Sequence, residues 1–262
     1  MMSEPKVEPV SRLSLWAGRI MSALPAPFLL LDGVMKLLKP VVVVETTKQL
    51  GYSESVIFPL GIVLLACTII YLIPRTSVLG AILLTGYLGG AVATHVRLGE
   101  SAFPILLPAI IGALLWGGLY LRDKRLQPLI PLTTQTSTSS QTKKMLWLGR
   151  ILSALPVLML LFSAVIKLLK LANVVTEFAR LGYPESRVLG IGMLEIACTV
   201  VYLIPRTSVL GAILLAGYLG GATATHVRIG DPFFIPIVVG MLVWGGLYLR
   251  DQRLRALLPL RS

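Results

Sequence analysis

Long apolar runs alternate with short polar breaks along this chain, and the same alternation occurs twice. Span one is expected at about Leu13–Leu38, span two at Val56–Ile73, span three at Val78–Val96 and span four at Phe103–Leu121. Each approaches the roughly 20 apolar residues that a bilayer crossing needs. Pro74 stops span two, and the Pro-Arg-Thr-Ser turn after Ile73 offers Thr76 or Ser77 to cap the next helix. The Val- and charge-rich segment Lys39–Ser55 reads as a connection.

The stretch Tyr71–Gly99 returns as Tyr202–Gly230 with three of 29 positions changed: Thr85 to Ala216, Val92 to Thr223 and Leu98 to Ile229. Arg19, Pro25, Lys36 and His95 likewise recur 131 residues later, as Arg150, Pro156, Lys167 and His226. A three-residue deletion then precedes span eight. The chain therefore divides into a disordered leader (1–12), a four-helix unit (13–130), a Ser/Thr/Gln-rich flexible linker (131–144) and a second four-helix unit (145–262). The fold class is an all-α membrane protein of eight transmembrane helices, built as two parallel four-helix-bundle repeats. An even number of spans per unit brings the second unit in from the same side, which makes the repeat parallel and disfavours inverted-repeat transporter folds.

Composition agrees: hydrophobic residues make up 55%, charged residues 14%, and mean hydropathy is +0.83. A formal charge of +12 would suggest nucleic acid in a soluble chain. Here Lys and Arg cluster between apolar spans, where they set topology and meet anionic lipid, so nucleic acid is excluded as a partner. Fifteen of the 24 basic residues lie on the side of the termini, as do all four tryptophans, which places the termini in the cytoplasm. The first span carries no cleavage pattern and should be retained. Cys67 and Cys198 occupy equivalent positions and read as packing residues; no C-x-x-C motif is present.

Gly86, Gly90 and Thr94, with Gly217, Gly221 and Thr225, form small-residue seams at i, i+4, i+8, expected as the inner face of each bundle. Candidate chemistry lies elsewhere. Asp32 and Lys36 end span one, and His95 and Arg97 end span three, so a carboxylate and three cations converge on the side away from the termini. In the second unit Lys167, His226 and Arg228 repeat the basic members, Ser163 replaces Asp32, and Glu195 stands where span two has Leu64. Snorkelling to headgroups is the plain alternative for the basic residues. Together these nine are ligand-binding candidates for a polar headgroup with an apolar tail, as in a quinone or lipid. Glu195, near mid-membrane, is expected to pair with His226, Arg228 or Lys167, or else to be held neutral by a raised pKa and able to donate a hydrogen bond. None of the nine forms a catalytic or metal-binding constellation.

The segments GYSESVIFPLGIVLLACTIIYLIPRTSVLG and GYPESRVLGIGMLEIACTVVYLIPRTSVLG, the span-one ends Leu31–Leu37 and Phe162–Leu168, and the closing W-G-G-L-Y-L-R-D resemble the DoxX-like family of four-span bacterial membrane proteins. The resemblance covers nearly the whole chain twice, whereas single units are usual in that family. The family's span-two acid, within L-E-x-A-C, matches Glu195, and Leu64 departs from it. Relatives in the wider group include a thiosulfate:quinone oxidoreductase subunit and a membrane partner of radical-detoxifying enzymes. The resemblance thus implies a redox context with a possible quinone and a redox partner protein. From the residues, the leading expectation is an auxiliary subunit binding a lipophilic small molecule; a small-solute carrier and a helix-packing scaffold or chaperone are the alternatives.

Overall fold

Each long apolar run is helical in the computed structural model, which describes residues 12–127, 129–130, 143–251 and 254–255. The leader up to residue 11 and the linker residues 131–142 lie outside the described residues. Span one is α1 (Arg12–Ala23) followed after Leu24 by α2 (Pro25–Leu38), the two together forming one 27-residue crossing. Pro25 and Pro27 each remove a backbone donor, so the hydrogen-bond ladder is interrupted there. With Pro156 alone, the equivalent α7 (Lys143–Leu168) runs unbroken.

A short helix, α3 (Val41–Gln49), occupies what the sequence suggested was a plain connection. The crossings α4 (Ile57–Leu72), α5 (Ser77–Leu98) and α6 (Ala102–Arg122) follow. In the second unit α8 (Ala172–Arg180) matches α3, and α9 (Glu185–Leu203), α10 (Ser208–Ile229) and α11 (Phe234–Arg250) complete the bundle. Among the described residues, seven helical segments are long and apolar enough to cross a membrane; α11, with 17 residues, is shorter. It spans about 25 Å at 1.5 Å per residue against a hydrocarbon core of roughly 30 Å. The three-residue deletion before span eight accounts for most of the difference from α6. Leu13, Phe103 and Phe162, each at least 70% exposed, face outward, as lipid-contacting side chains do.

Within each unit the helices form a ring in which span one packs on spans two and four, and span three closes the ring between them. Tyr71 and Tyr202 are fully buried at the centre of their rings. The Tyr71 hydroxyl lies 2.9 Å from Ser22 Oγ and 3.1 Å from the Leu115 carbonyl. Tyr202 repeats this with Ser153 (2.9 Å) and the Val243 carbonyl (2.9 Å), so one tyrosine ties three spans in each unit. The guanidiniums of Arg122 and Arg250 lie over the two rings at 5.4 and 4.9 Å, a cation–π contact at the membrane edge. Cys67 and Cys198 are free and buried in the core, as packing residues should be.

The Pro-Arg-Thr-Ser turns differ in detail from expectation. Neither Thr76 nor Thr207 caps the following helix through its side chain. Their hydroxyls instead donate backward, to the carbonyls of Ile70 (2.8 Å) and Val201 (2.7 Å), and so satisfy the last carbonyls of the preceding span.

The small-residue seams require a larger correction. They do not form the inner face of each bundle; they form the junction between the two units, where α5 packs along α10. A Cβ on Gly89 would lie 2.0 Å from the Gly217 carbonyl oxygen, and one on Gly220 would lie 1.9 Å from that of Gly86. Gly90 and Gly221 meet Ala224 and Ala93 across the same line. Residues 85–89 of α5 meet 216–220 of α10 and residues 89–93 meet 220–224, so α5 and α10 run parallel and the units are related by a pseudo-two-fold axis along the membrane normal. Only residues without a Cβ permit backbones this close, and dispersion over that contact is what drives helix association in lipid.

One of the hairpin substitutions leaves a mark on this packing. Trp116 Nε1 donates to Thr85 Oγ1 at 2.9 Å, whereas the equivalent Trp244 Nε1 is buried without a partner because position 216 is alanine. Ala216→Thr is expected to restore the acceptor and stabilise the protein by about 1 kcal/mol, the typical net value of one hydrogen bond. Thermal unfolding in detergent measures this, and an unchanged or lower melting temperature would count against it.

Candidate functional site

The nine candidate residues separate into three kinds of place: an acid-bearing pair or cluster in each unit, the turns after span three, and the junction of the units. The first is the acid cluster of the second unit. Ser163 and Lys167, at i and i+4, share one face of α7; Glu195 lies midway along α9 and is 2% exposed. Lys167 Nζ donates to Glu195 Oε2 at 2.8 Å and also to Ser163 Oγ, which itself donates to Glu195 Oε2 at 3.3 Å. Tyr218, from α10, closes the cluster: its hydroxyl accepts from Lys167 Nζ at 3.4 Å. Three spans thus bring two charges and two hydroxyls together. Of the three expected partners for Glu195, only Lys167 takes the role.

In the first unit Asp32 and Lys36 pair with each other along α2. Leu64, fully buried, fills the position of Glu195, and Tyr87 stands where Tyr218 does. The acid has moved from the second span to the first, and its exposure rises from 2% for Glu195 to 36% for Asp32. Tyr218 escaped the sequence reading although a signal existed: a polar aromatic recurs mid-span in both copies, within G-Y-L-G-G.

The histidines belong to a second place, the turns after span three. His95 Nδ1 lies 2.9 Å from Glu100 Oε2, and His226 Nδ1 lies 3.6 Å from Asp231 Oδ2. Asp231 also binds Arg180, which reaches it from α8 and binds Glu177 at 2.6 Å. Hydrogen bonds from Arg180 hold the Glu177 and Asp231 carboxyls below the usual carboxylate range and raise the guanidinium's own pKa. Neither histidine touches the Glu195 cluster.

Arg97 and Arg228 occupy the third place, at the junction of the units. Their Nη2 atoms donate to the carbonyls of Leu50 (2.6 Å) and Leu181 (2.7 Å). Beside them, Tyr52 and Tyr183 hold Thr94 (2.8 Å) and Thr225 (3.1 Å) within their own units. Each tyrosine also reaches a backbone carbonyl of the other unit, Ala224 (3.5 Å) for Tyr52 and Ala93 (3.3 Å) for Tyr183. Two tyrosines unremarked in the sequence therefore stitch the repeats together.

Two cavities open on the side of the termini, and no residue of the Glu195 cluster lines either. One, of about 430 Å³ and almost wholly apolar, lies between α6 and α10 beneath Trp116 and Tyr120, with Leu126, Ile130, Ile213 and Leu214 in its wall. The other, of about 250 Å³, is bordered by Arg150, Pro205, Ser208, Leu247, Arg250 and Asp251. No group of three or more His, Cys, Asp or Glu side chains suited to a metal occurs among the described residues.

Neither curated proteins nor solved structures provide a match to the chain. Each repeat does match the model of one family, over residues 20–118 and 151–246: the chain belongs to the DoxX-like family.

Proposed function

We propose that this membrane protein is an auxiliary subunit of a redox system, and that its second unit binds a lipophilic small molecule, a quinone or a lipid, through the Glu195 cluster. One comparison within the molecule carries the reading. Leu64 fills the position equivalent to Glu195 with no exposed surface, so packing requires no acid there. A buried ion pair is a costly substitute for a leucine, and within a membrane such a group is functional by default. Glu195, Ser163 and Tyr218 supply an acceptor and two hydroxyls to a polar head, and the apolar flanks of α7, α9 and α10 suit its tail. The redox assignment rests on the family relationship and extends to a partner protein that exchanges electrons with the bound molecule.

Purification in mild detergent followed by mass spectrometry of extracted lipids and quinones tests this directly. The wild type is expected to retain a defined lipophilic molecule that Glu195→Leu loses. Equal retention by both proteins would sink the assignment of the site. The close glycine contact between the units favours a second reading, a helix-packing scaffold, for which neither protein retains a defined molecule.

We further propose a bacterial inner membrane location with cytoplasmic termini, on the strength of the basic excess and the tryptophans on that side. A cysteine replacing exposed Ser53 should react with an impermeant thiol reagent in spheroplasts, while one replacing exposed Arg206 should react only after lysis. The opposite pattern reverses the orientation.

A further inference from the structure

Arg97 and Arg228 are carried to the pseudo-two-fold axis by α5 and α10, the helices that join the two units. Two glycines at the ends of the short helices show how near they come. A Cβ on Gly51 would lie 3.3 Å from Arg97 Nη2 and 3.7 Å from Arg228 Cδ; one on Gly182 would lie 3.2 Å from Arg228 Nη2 and 3.5 Å from Arg97 Cδ. The two side chains thus cross the junction reciprocally. Both glycines have positive φ, 80° and 73°, so side chains are disfavoured at the positions where they would crowd the guanidiniums.

Two half-buried cations this close repel each other, and among the described residues no carboxylate pairs with either. The acids three residues beyond them are already engaged, Glu100 by His95 and Asp231 by Arg180. Each guanidinium has five N–H donors and gives one to a backbone carbonyl, and Arg228 Nε is buried without a partner. Uncompensated charge and spare donors in fixed forks are what an oxyanion satisfies bidentately. Both arginines lie in the last turns of their spans, where lipid phosphates sit.

We propose that a phosphate-type oxyanion binds on the axis between Arg97 and Arg228, either the phosphodiester of a membrane phospholipid or free phosphate. The site shares no residue with the Glu195 cluster, so the two readings stand or fall separately.

Two probes distinguish the sources. Delipidated full-length protein in neutral detergent is melted in sodium phosphate and in sodium chloride at matched ionic strength. In parallel, protein extracted from phosphatidylglycerol vesicles is weighed by native mass spectrometry. A higher melting temperature in phosphate identifies free anion; a retained phospholipid without that response identifies a headgroup. In either case the Arg97→Gln/Arg228→Gln protein should bind about tenfold more weakly or worse, as expected for lost charge-assisted hydrogen bonds. Arg228→Glu supplies an internal partner for Arg97 and serves if the double variant does not fold; it should lose the response to both probes. No response to either probe in the wild type, or an undiminished response in the variants, overturns the proposal.

Discussion

Gly89→Ala is expected to loosen the two halves of the protein and lower its stability by roughly 3 kcal/mol, at the upper end of what overpacking costs. The added methyl would meet the Gly217 carbonyl oxygen at 2.0 Å and the Gly217 Cα at 2.7 Å. Both are backbone atoms, so no rotamer change relieves the contact, and α5 and α10 must move apart along their length. Gly220→Ala should behave the same way, because it meets the Gly86 backbone at 1.9 Å. The internal control is Gly190→Ala: nothing lies within 4 Å of that site on α9, and alanine is the better helix former by about 1 kcal/mol. Thermal unfolding of the three variants in one detergent makes the comparison. Gly89→Ala melting with the wild type would mean that the close approach of the repeats is not what holds them.

The second large effect is expected at the buried ion pair, and it should depend on which partner is removed. Lys167→Met leaves Glu195, 2% exposed, without its cation and should cost about 3–5 kcal/mol. Glu195→Leu should cost less, because Lys167 keeps Ser163 and stands near the end of α7, where its stem can carry the ammonium to the headgroups. Adding Ser163→Asp to Glu195→Leu rebuilds the first unit's arrangement, an i,i+4 pair on span one facing a leucine. That double variant is expected to recover to within about 1 kcal/mol of wild type, because its pair costs less to desolvate in a more exposed place. Melting curves of the series decide it; a double variant no more stable than Glu195→Leu would show that the two units differ by more than the position of one acid.

Much of this architecture was legible in the residues. The internal repeat fixed the parallel arrangement, and the hairpin identity fixed the equivalence of Tyr71 with Tyr202. Spacing alone could not say which neighbour the Gly86–Gly90–Thr94 seam faces. A small-residue stripe announces a close contact but not its partner, and a partner 131 residues away has no local signature. Helix α3 was obscured because four consecutive valines and a preceding proline argue against a helix when read locally; the proline in fact stands at its N-cap, where a missing N–H is harmless. Within the candidate site, the i,i+4 relation of Ser163 and Lys167 and the depth of Glu195 were readable. The diversion of His95 and His226 to acids five residues downstream was not read, because only the turn geometry brings Glu100 and Asp231 to them. Tyr52 and Tyr183 act across the junction, so their role emerges only once the units are docked.

The parallel docking of α5 on α10 bears on how such a protein can diverge. When two identical subunits meet on a true symmetry axis, every substitution arrives in duplicate, so an acid gained or lost in one is gained or lost in both. Joining the halves covalently removes that constraint and makes their association independent of protein concentration in the bilayer. One half can then keep a demanding intramembrane charge while the other settles into an ordinary apolar core that braces it. The contrast between Glu195 and Leu64 is that division of labour at a single position, open to this chain and closed to a homodimer of the same fold.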